Sequence, residues 1–403
     1  MKLAVILGDG MADWPVDALG GRTPLEAANH PFMDQFARDG AFGLVKTVPD
    51  GMSPGSDTAN LSVFGYDPKR YYSGRSPLEA ASLGIDLADT DVTYRCNLVT
   101  LSGEGNIAEA TMLDYSAGEI STEEAKTLIQ FLEQKLGSEG VRLYPGFSYR
   151  HCLVLNEAET GAKLTPPHDI SGKPVDGRLP EGTNAALLMR WMETAYALLR
   201  EHPVNRARVA AGKNPANAIW FWGEGRRPSL TPFYDKTGLH GAVISAVDLI
   251  QGIGRCAGME VVKVEGATGT YETNFAGKAA AAIDALSRGA DYVYVHIEAA
   301  DECGHHGQVK EKVYSIEQID AQVIGPVLAY LEGCGEDYTI LVLPDHPTPI
   351  KTRTHSAEPV PFALYQNGDH AGRSLRFTES DAKTTGLYED AGHRLIERMQ
   401  KRG

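Results

Sequence analysis

Five short runs of the chain are apolar at nearly every position: LAVIL (3–7), MEVVKV (259–264), DYVYVHI (291–297), YTILVL (338–343) and VPFALY (360–365). Val, Ile and Leu in unbroken succession, without alternation, mark strands covered on both faces, as in a parallel sheet. Between them, NFAGKAAAAIDALSRG (274–289) and KVYSIEQIDAQVIGPVLAYLEG (312–333) carry apolar residues at helical spacing and can serve as crossovers between parallel strands. These signals predict an α/β fold, a mostly parallel sheet with helices on both faces.

From about Val92 to Trp222 the pattern changes. Strand-like TYRCNLVTL (93–101), SYRHCLVLN (148–156) and AIWFWG (218–223) are fewer and more amphipathic. They are separated by the helical STEEAKTLIQFLEQKLG (121–137) and TNAALLMRWMETAYALLREH (183–202), so a separate α+β module inserted into the larger sheet is predicted. A Pro- and Gly-rich loop, LTPPHDISGKPVDGRLPEG (164–182), lies within it, and no internal repeat is visible.

Composition narrows the function classes. With 403 residues and 42% hydrophobic content, the chain can bury a large core and a second, smaller one. A formal charge of -15 argues against a nucleic-acid surface, which needs clustered Lys and Arg. The five cysteines form no CxxC pair and predict no disulfide framework. Met1 runs directly into a short apolar stretch closed by Gly8 and Asp9, unlike a signal peptide, and no apolar run reaches the roughly 18–20 residues of a membrane span. A soluble, cytoplasmic protein is expected, with no nucleic-acid or membrane partner; the sequence does not give its oligomeric state.

Three aspartates hold equivalent places in this pattern. Asp9 closes the first apolar run, Asp301 follows VYVHIEAA, and Asp345 closes TILVLP. The carboxyl ends of parallel strands share one sheet edge, where open α/β proteins bind ligands, so the three carboxylates are expected to converge. Without cations such crowding disfavours ionising all three. Histidines fall in the same places: His305 four residues after Asp301, on one helical face; His346 next to Asp345; and His355 in the loop before VPFALY. Each piece alone has an ordinary reading, Asp9 as a helix N-cap, His305 with His306 as surface residues, Asp345-His346 as turn chemistry. Their shared edge makes a two-metal site the better account, and imidazole with carboxylate suits Mn2+, Zn2+ or Fe2+ over Ca2+.

The loop PDGMSPGSDTANLSVFGYDP (49–68) opens into a short helical run with Ser56 at its turn. Hydroxyls and N–H groups at a helix start suit an anion, and a serine becomes a nucleophile when a metal or base helps remove its proton. As an isolated signal the residue reads as an N-cap; Ser53 and Thr58 are neighbouring alternatives.

With GDGMAD (8–13), PGSDTANLSVFGYDP (54–68), EAADECGHHG (298–307), LVLPDHPTP (341–349) and TRTHSAEPVPF (352–362) in this order, the chain resembles the cofactor-independent phosphoglycerate mutases, archaeal-type branch, of the alkaline phosphatase superfamily. The resemblance spans essentially the full length. It implies an alkaline-phosphatase-like catalytic domain of residues 1–92 and 226–403 and an inserted substrate-covering domain of residues 93–225. It further implies two divalent ions, Mn2+ foremost with Zn2+ and Mg2+ as alternatives. One would be held by Asp301, His305 and His355, the other by Asp9, Asp345 and His346, with Ser56 as bridging nucleophile. The implied reaction moves a phosphoryl group from 3-phosphoglycerate to Ser56 and back to the other hydroxyl of a retained glycerate, giving 2-phosphoglycerate. Water must be kept out meanwhile.

The insert offers guanidinium and imidazole groups for this small phosphorylated substrate: Arg150, His151, His168, Asp169, Arg206 and Arg226. Helix-borne arginines such as Arg206 also fit a solvated face. A homoserine kinase, or another phosphotransferase or phosphomonoesterase of the superfamily, is the alternative activity, although no GxxxxGK[ST] loop is present.

Overall fold

The computed structural model describes residues 1–103 and 105–401. The chain forms two compact units, Met1–Tyr72 with Leu230–Gly403, and Ser73–Ser229.

The larger unit is built on an eight-stranded sheet in the order Glu260–Val262, Gly241–Ile244, Tyr292–Ile297, Lys2–Gly8, Tyr338–Leu343, Val360–Gln366, Ala41–Val45 and Tyr388–Glu389. All pairs are parallel except the two that flank Val360–Gln366, which runs against both neighbours. The three central strands are buried along their whole length, which explains their lack of alternation. Val360–Gln366 has the same pattern because it too is covered on both faces, and burial does not encode direction.

On one face, Ala4, Ile6, Val293, Val295, Ile340 and Val342 pack against helices that include Pro31–Asp39 and Phe275–Ser287. On the other face lies the helix Ser56–Val63, whose closing residue Phe64 stacks on Tyr294 with ring centroids 3.9 Å apart. The predicted crossover 312–333 is interrupted by a π-helical turn, Ile319–Ile324, before the helix Gly325–Gly333. Pro326 explains the wider turn, since it has no N–H and its ring crowds the carbonyl four residues back.

The unit Ser73–Ser229 holds an antiparallel sheet of Met112–Asp114, Val92–Leu101, Arg150–Leu155 and Val141–Tyr144, with Ala218–Arg226 also paired to Val92–Leu101. Alternation sorts its faces: Tyr94, Cys96 and Leu98 join Leu128, Leu132, Trp191 and Met192 of the helices Thr122–Leu136 and Ala185–Leu199 in one core. The helix Ser76–Ser82 belongs to this unit because it packs on the strands Val92–Leu101 and Ala218–Arg226. Among the described residues no helix is long and apolar enough to cross a membrane.

Candidate active site

Strand order brings the three aspartates together. Lys2–Gly8 lies between Tyr292–Ile297 and Tyr338–Leu343, all parallel, so the loops leaving their carboxyl ends meet. Asp9 and Asp345 sit at the mouths of two of these strands. Asp301 rides on the helix Ala299–His306 just beyond the third. All three are buried, Asp9 and Asp345 to 1% and 0% exposure. Gly10 makes the approach feasible: its φ is +64°, and a Cβ there would lie 2.7 Å from the Cα of Asp301.

The histidines join these carboxylates in two overlapping groups. Asp9, Asp345 and His346 each present a ligand atom within 4.8 Å of the others, and so do Asp301, His346 and His355. His305 Nε2 lies 3.2 Å from Asp301 Oδ2 and 2.9 Å from His355 Nε2. Its Nδ1 faces the carbonyl of Arg353 at 2.9 Å; in the neutral ring, donating there would leave the Nε2 lone pair turned to Asp301 and His355. Asp301 is also held by the Thr348 hydroxyl, which donates to its Oδ1.

Ser56 begins its helix at the junction. Its hydroxyl donates to Asp9 Oδ2 at 3.4 Å and lies 3.2 Å from His346 Nε2. It is half-buried, while His346 is fully so.

Charge is unevenly compensated here. Burial, then the fields of Asp345 and Asp301, push the Asp9 carboxyl well above the usual carboxylate range. Burial also opposes ionising Asp301, yet hydrogen bonds from His305 and His355 hold it well below that range. Burial would lower His305, but Asp301 beside it raises the imidazole to about 9. Asp9 Oδ1 is buried without a hydrogen-bond partner. An orphaned carboxylate oxygen, crowded like charges and ring nitrogens turned inward form a donor set that divalent cations fit, since cations supply the missing partner and cancel the repulsion. Side chains of the chain can therefore hold metal.

Four contributors escaped sequence reasoning. Glu298 joins Asp9 and Asp301 in a further group within 4.8 Å. His296, fully buried in its strand, approaches Asp9 Oδ2 at 3.0 Å, and burial lowers its imidazole to about 3. Asn60 donates to Asp345 Oδ2, and Tyr294 donates to Asn60. Only a polar side chain inside an apolar strand or helix pointed to His296 and Asn60.

Within Ser73–Ser229 the candidate substrate residues separate. Arg150 is half-buried beside the Tyr149 and Phe147 rings, and its Nε is buried without a partner. On the same sheet face Arg95, not foreseen, lies 4.0 Å over the Trp222 ring and 2.8 Å from Glu79. Burial opposes ionising Glu79, but Arg95, Arg75 and Arg150 together hold its carboxyl below the usual value. His168 meets the Trp222 ring edge at 5.1 Å and, like Asp169, is exposed. The others stand apart. His151 is buried, accepts from Gly146 N, and is lowered to about 3 by burial, so it is a neutral turn-holder. Arg206 is exposed and paired with Glu201. Arg226 donates to the carbonyl of Ala158.

A family model described as 2,3-bisphosphoglycerate-independent phosphoglycerate mutase matches residues 37–205. The chain is 52% identical over 396 residues to the 2,3-bisphosphoglycerate-independent phosphoglycerate mutase of Methanothrix thermoacetophila, covering 98% of each. It is 49% identical over 405 residues to a probable 2,3-bisphosphoglycerate-independent phosphoglycerate mutase of Geobacter sulfurreducens, covering 100% of each. The solved structure of the cofactor-independent phosphoglycerate mutase of Thermoplasma acidophilum is similar with a TM-score of 0.67 and 27% identity, covering 99% of each.

Proposed function

This chain belongs to the 2,3-bisphosphoglycerate-independent phosphoglycerate mutase family, and on that premise we propose that it interconverts 3-phosphoglycerate and 2-phosphoglycerate through a phosphoserine at Ser56. The observation that carries this reading is the placement of the Ser56 hydroxyl, 3.2 Å from His346 Nε2 and 3.4 Å from Asp9 Oδ2, where the two ligand groups overlap.

Asp301, His305 and His355 would hold one divalent ion, and Asp9, Asp345 and His346 the other. Two such ions, Mn2+ foremost, with Zn2+ and Mg2+ as alternatives, would supply a lowered pKa of the serine hydroxyl and neutralisation of phosphoryl oxygens. Ser56 Oγ gives up its proton and attacks phosphorus; its bond to phosphorus forms as the bond to the C3 oxygen of glycerate breaks, and that oxygen takes up the proton Ser56 released. The retained glycerate turns so that its C2 hydroxyl attacks the phosphoserine, releasing Ser56 and giving 2-phosphoglycerate. Ser56 is half-buried, and transfer rather than hydrolysis depends on keeping water from the phosphoserine. In the insert, Arg150 with Arg95 on the polar sheet face is the group we assign to the substrate's carboxylate, a planar anion suited to guanidinium.

The homoserine kinase alternative finds no support among the relatives described. The decisive experiment incubates the protein with Mn2+ and 3-phosphoglycerate, without 2,3-bisphosphoglycerate, and couples it to enolase. 2-Phosphoglycerate is expected. Inorganic phosphate alone would make it a phosphomonoesterase, and ATP-dependent O-phosphohomoserine a kinase.

A further inference from the structure

Asn60 is a polar amide placed where a helix gains nothing from it. It is fully buried, at 0% exposure, one turn after Ser56 in the helix Ser56–Val63. Asn favours caps and turns over helix interiors, and a buried amide is tolerated only when its hydrogen bonds are made. Here they are made, and every partner bears on the site. The amide nitrogen donates to the carbonyl of Ser56 at 2.9 Å and to Asp345 Oδ2 at 2.8 Å. Its oxygen accepts from the Tyr294 hydroxyl at 2.7 Å.

Two acceptors on one side of the amide fix which end is nitrogen, and Tyr294 then has an acceptor for its proton. Tyr294 is itself buried in the central sheet and stacked on Phe64 at the end of the same helix. Asp345 receives two more donors on its other oxygen, Gly10 N at 3.2 Å and His346 N at 2.9 Å, so both its oxygens are held. The amide thus links a backbone carbonyl of the residue proposed as nucleophile to a carboxylate 285 positions distant from Asn60 in the chain.

We propose that Asn60, oriented by Tyr294, is a positioning residue that sets Ser56 and Asp345 in register with one another. The proposal rests on the reading of Ser56 as nucleophile and Asp345 as metal ligand. Groups that orient a ligand carboxylate typically change metal affinity or activity by about 10–100-fold when removed, and a misplacement near 1 Å can cost about 10²-fold in rate.

The test uses the full chain carrying Asn60→Ala, and separately Tyr294→Phe, which keeps the ring stack and removes only the hydroxyl. Mn2+ affinity is measured by competition with a chelating dye, and kcat and KM for 3-phosphoglycerate in the enolase-coupled assay. Asn60→Ala is expected to weaken Mn2+ binding or lower kcat by about 10–100-fold with KM within about twofold, and Tyr294→Phe to act in the same direction by about three- to tenfold. A role in packing alone would lower the thermal midpoint and leave both readouts within about twofold of wild type, which overturns the proposal. Should Asn60→Ala fail to fold, Tyr294→Phe decides by the same criterion. Absence of mutase turnover in the wild-type protein would overturn the functional reading instead, and the Mn2+ titrations would still decide the role of Asn60.

Discussion

At the scale of single residues, the proposed mechanism divides holding a cation from breaking a bond. Asp9, Asp301, Asp345, His346 and His355 meet through ligand atoms within 4.8 Å in two groups, whereas Ser56 touches that set only by its hydroxyl. Ser56→Ala is therefore expected to reduce turnover by at least about 10³-fold while divalent-metal content stays at the wild-type level. His355→Ala is expected to lose about one ion per chain, because Asp301 and His305 then keep too few donors. Elemental analysis beside the coupled assay distinguishes the two, and full turnover in Ser56→Ala would remove that hydroxyl from the mechanism. Strand-end position and four-residue spacing made these residues legible in the sequence. Asn60 was marked only as a polar side chain inside a helix and Glu298 not at all, because Asp345 and Tyr294 lie more than 200 positions from Asn60 and Asp9 lies far from Glu298 in the chain.

At the scale of elements, the insert shows how alternation assigns a strand's residues to faces. Val92–Leu101 turns Tyr94, Cys96 and Leu98 to the helices and leaves Arg95 and Asn97 on the opposite face, where the paired strands bring Arg150 and Trp222. A charge-assisted hydrogen bond contributes about 1.5–3 kcal/mol, so Arg150→Ala should raise KM for 3-phosphoglycerate by about 10–100-fold, with metal content unchanged. Initial rates over a range of substrate concentrations check this; an unchanged KM would free Arg150 of the assignment. Arg206, in the helix Pro203–Ala210, has an exposed acidic partner and should be replaceable by Ala with KM within about twofold. Alternation was readable in TYRCNLVTL, but the placement of Arg226 and His151 against backbone depends on loops the sequence pattern does not describe. The strand Ala41–Val45 also went unread, being short and interrupted by Gly43, where a Cβ would lie 2.3 Å from the carbonyl of Leu387.

At the scale of the molecule, three central strands end on a cluster of buried carboxylates whose mutual repulsion the fold must contain. Ions that bind the folded chain and not the unfolded one stabilise it by mass action, about 2.7 kcal/mol when present at a hundred times their Kd. Chelation is thus expected to lower the thermal midpoint by roughly 5 °C or more, and Mn2+ to restore it. Calorimetry in chelator and in excess Mn2+ measures this; equal midpoints would argue that these side chains hold no ion.

The sequence alone marked the long buried runs, the amphipathic helices and the chemistry that stands at their ends, because burial on two faces, helical periodicity and ligand type are all local properties. It placed an aspartate after each of three buried runs and a serine at the start of a helix. Only the tertiary structure decided that those three strands are neighbours, that Val360–Gln366 runs against the rest, and that Asn60 joins Ser56 to Asp345. Strand order and register arise from packing between segments remote in the chain, and the distances that make a site are set there.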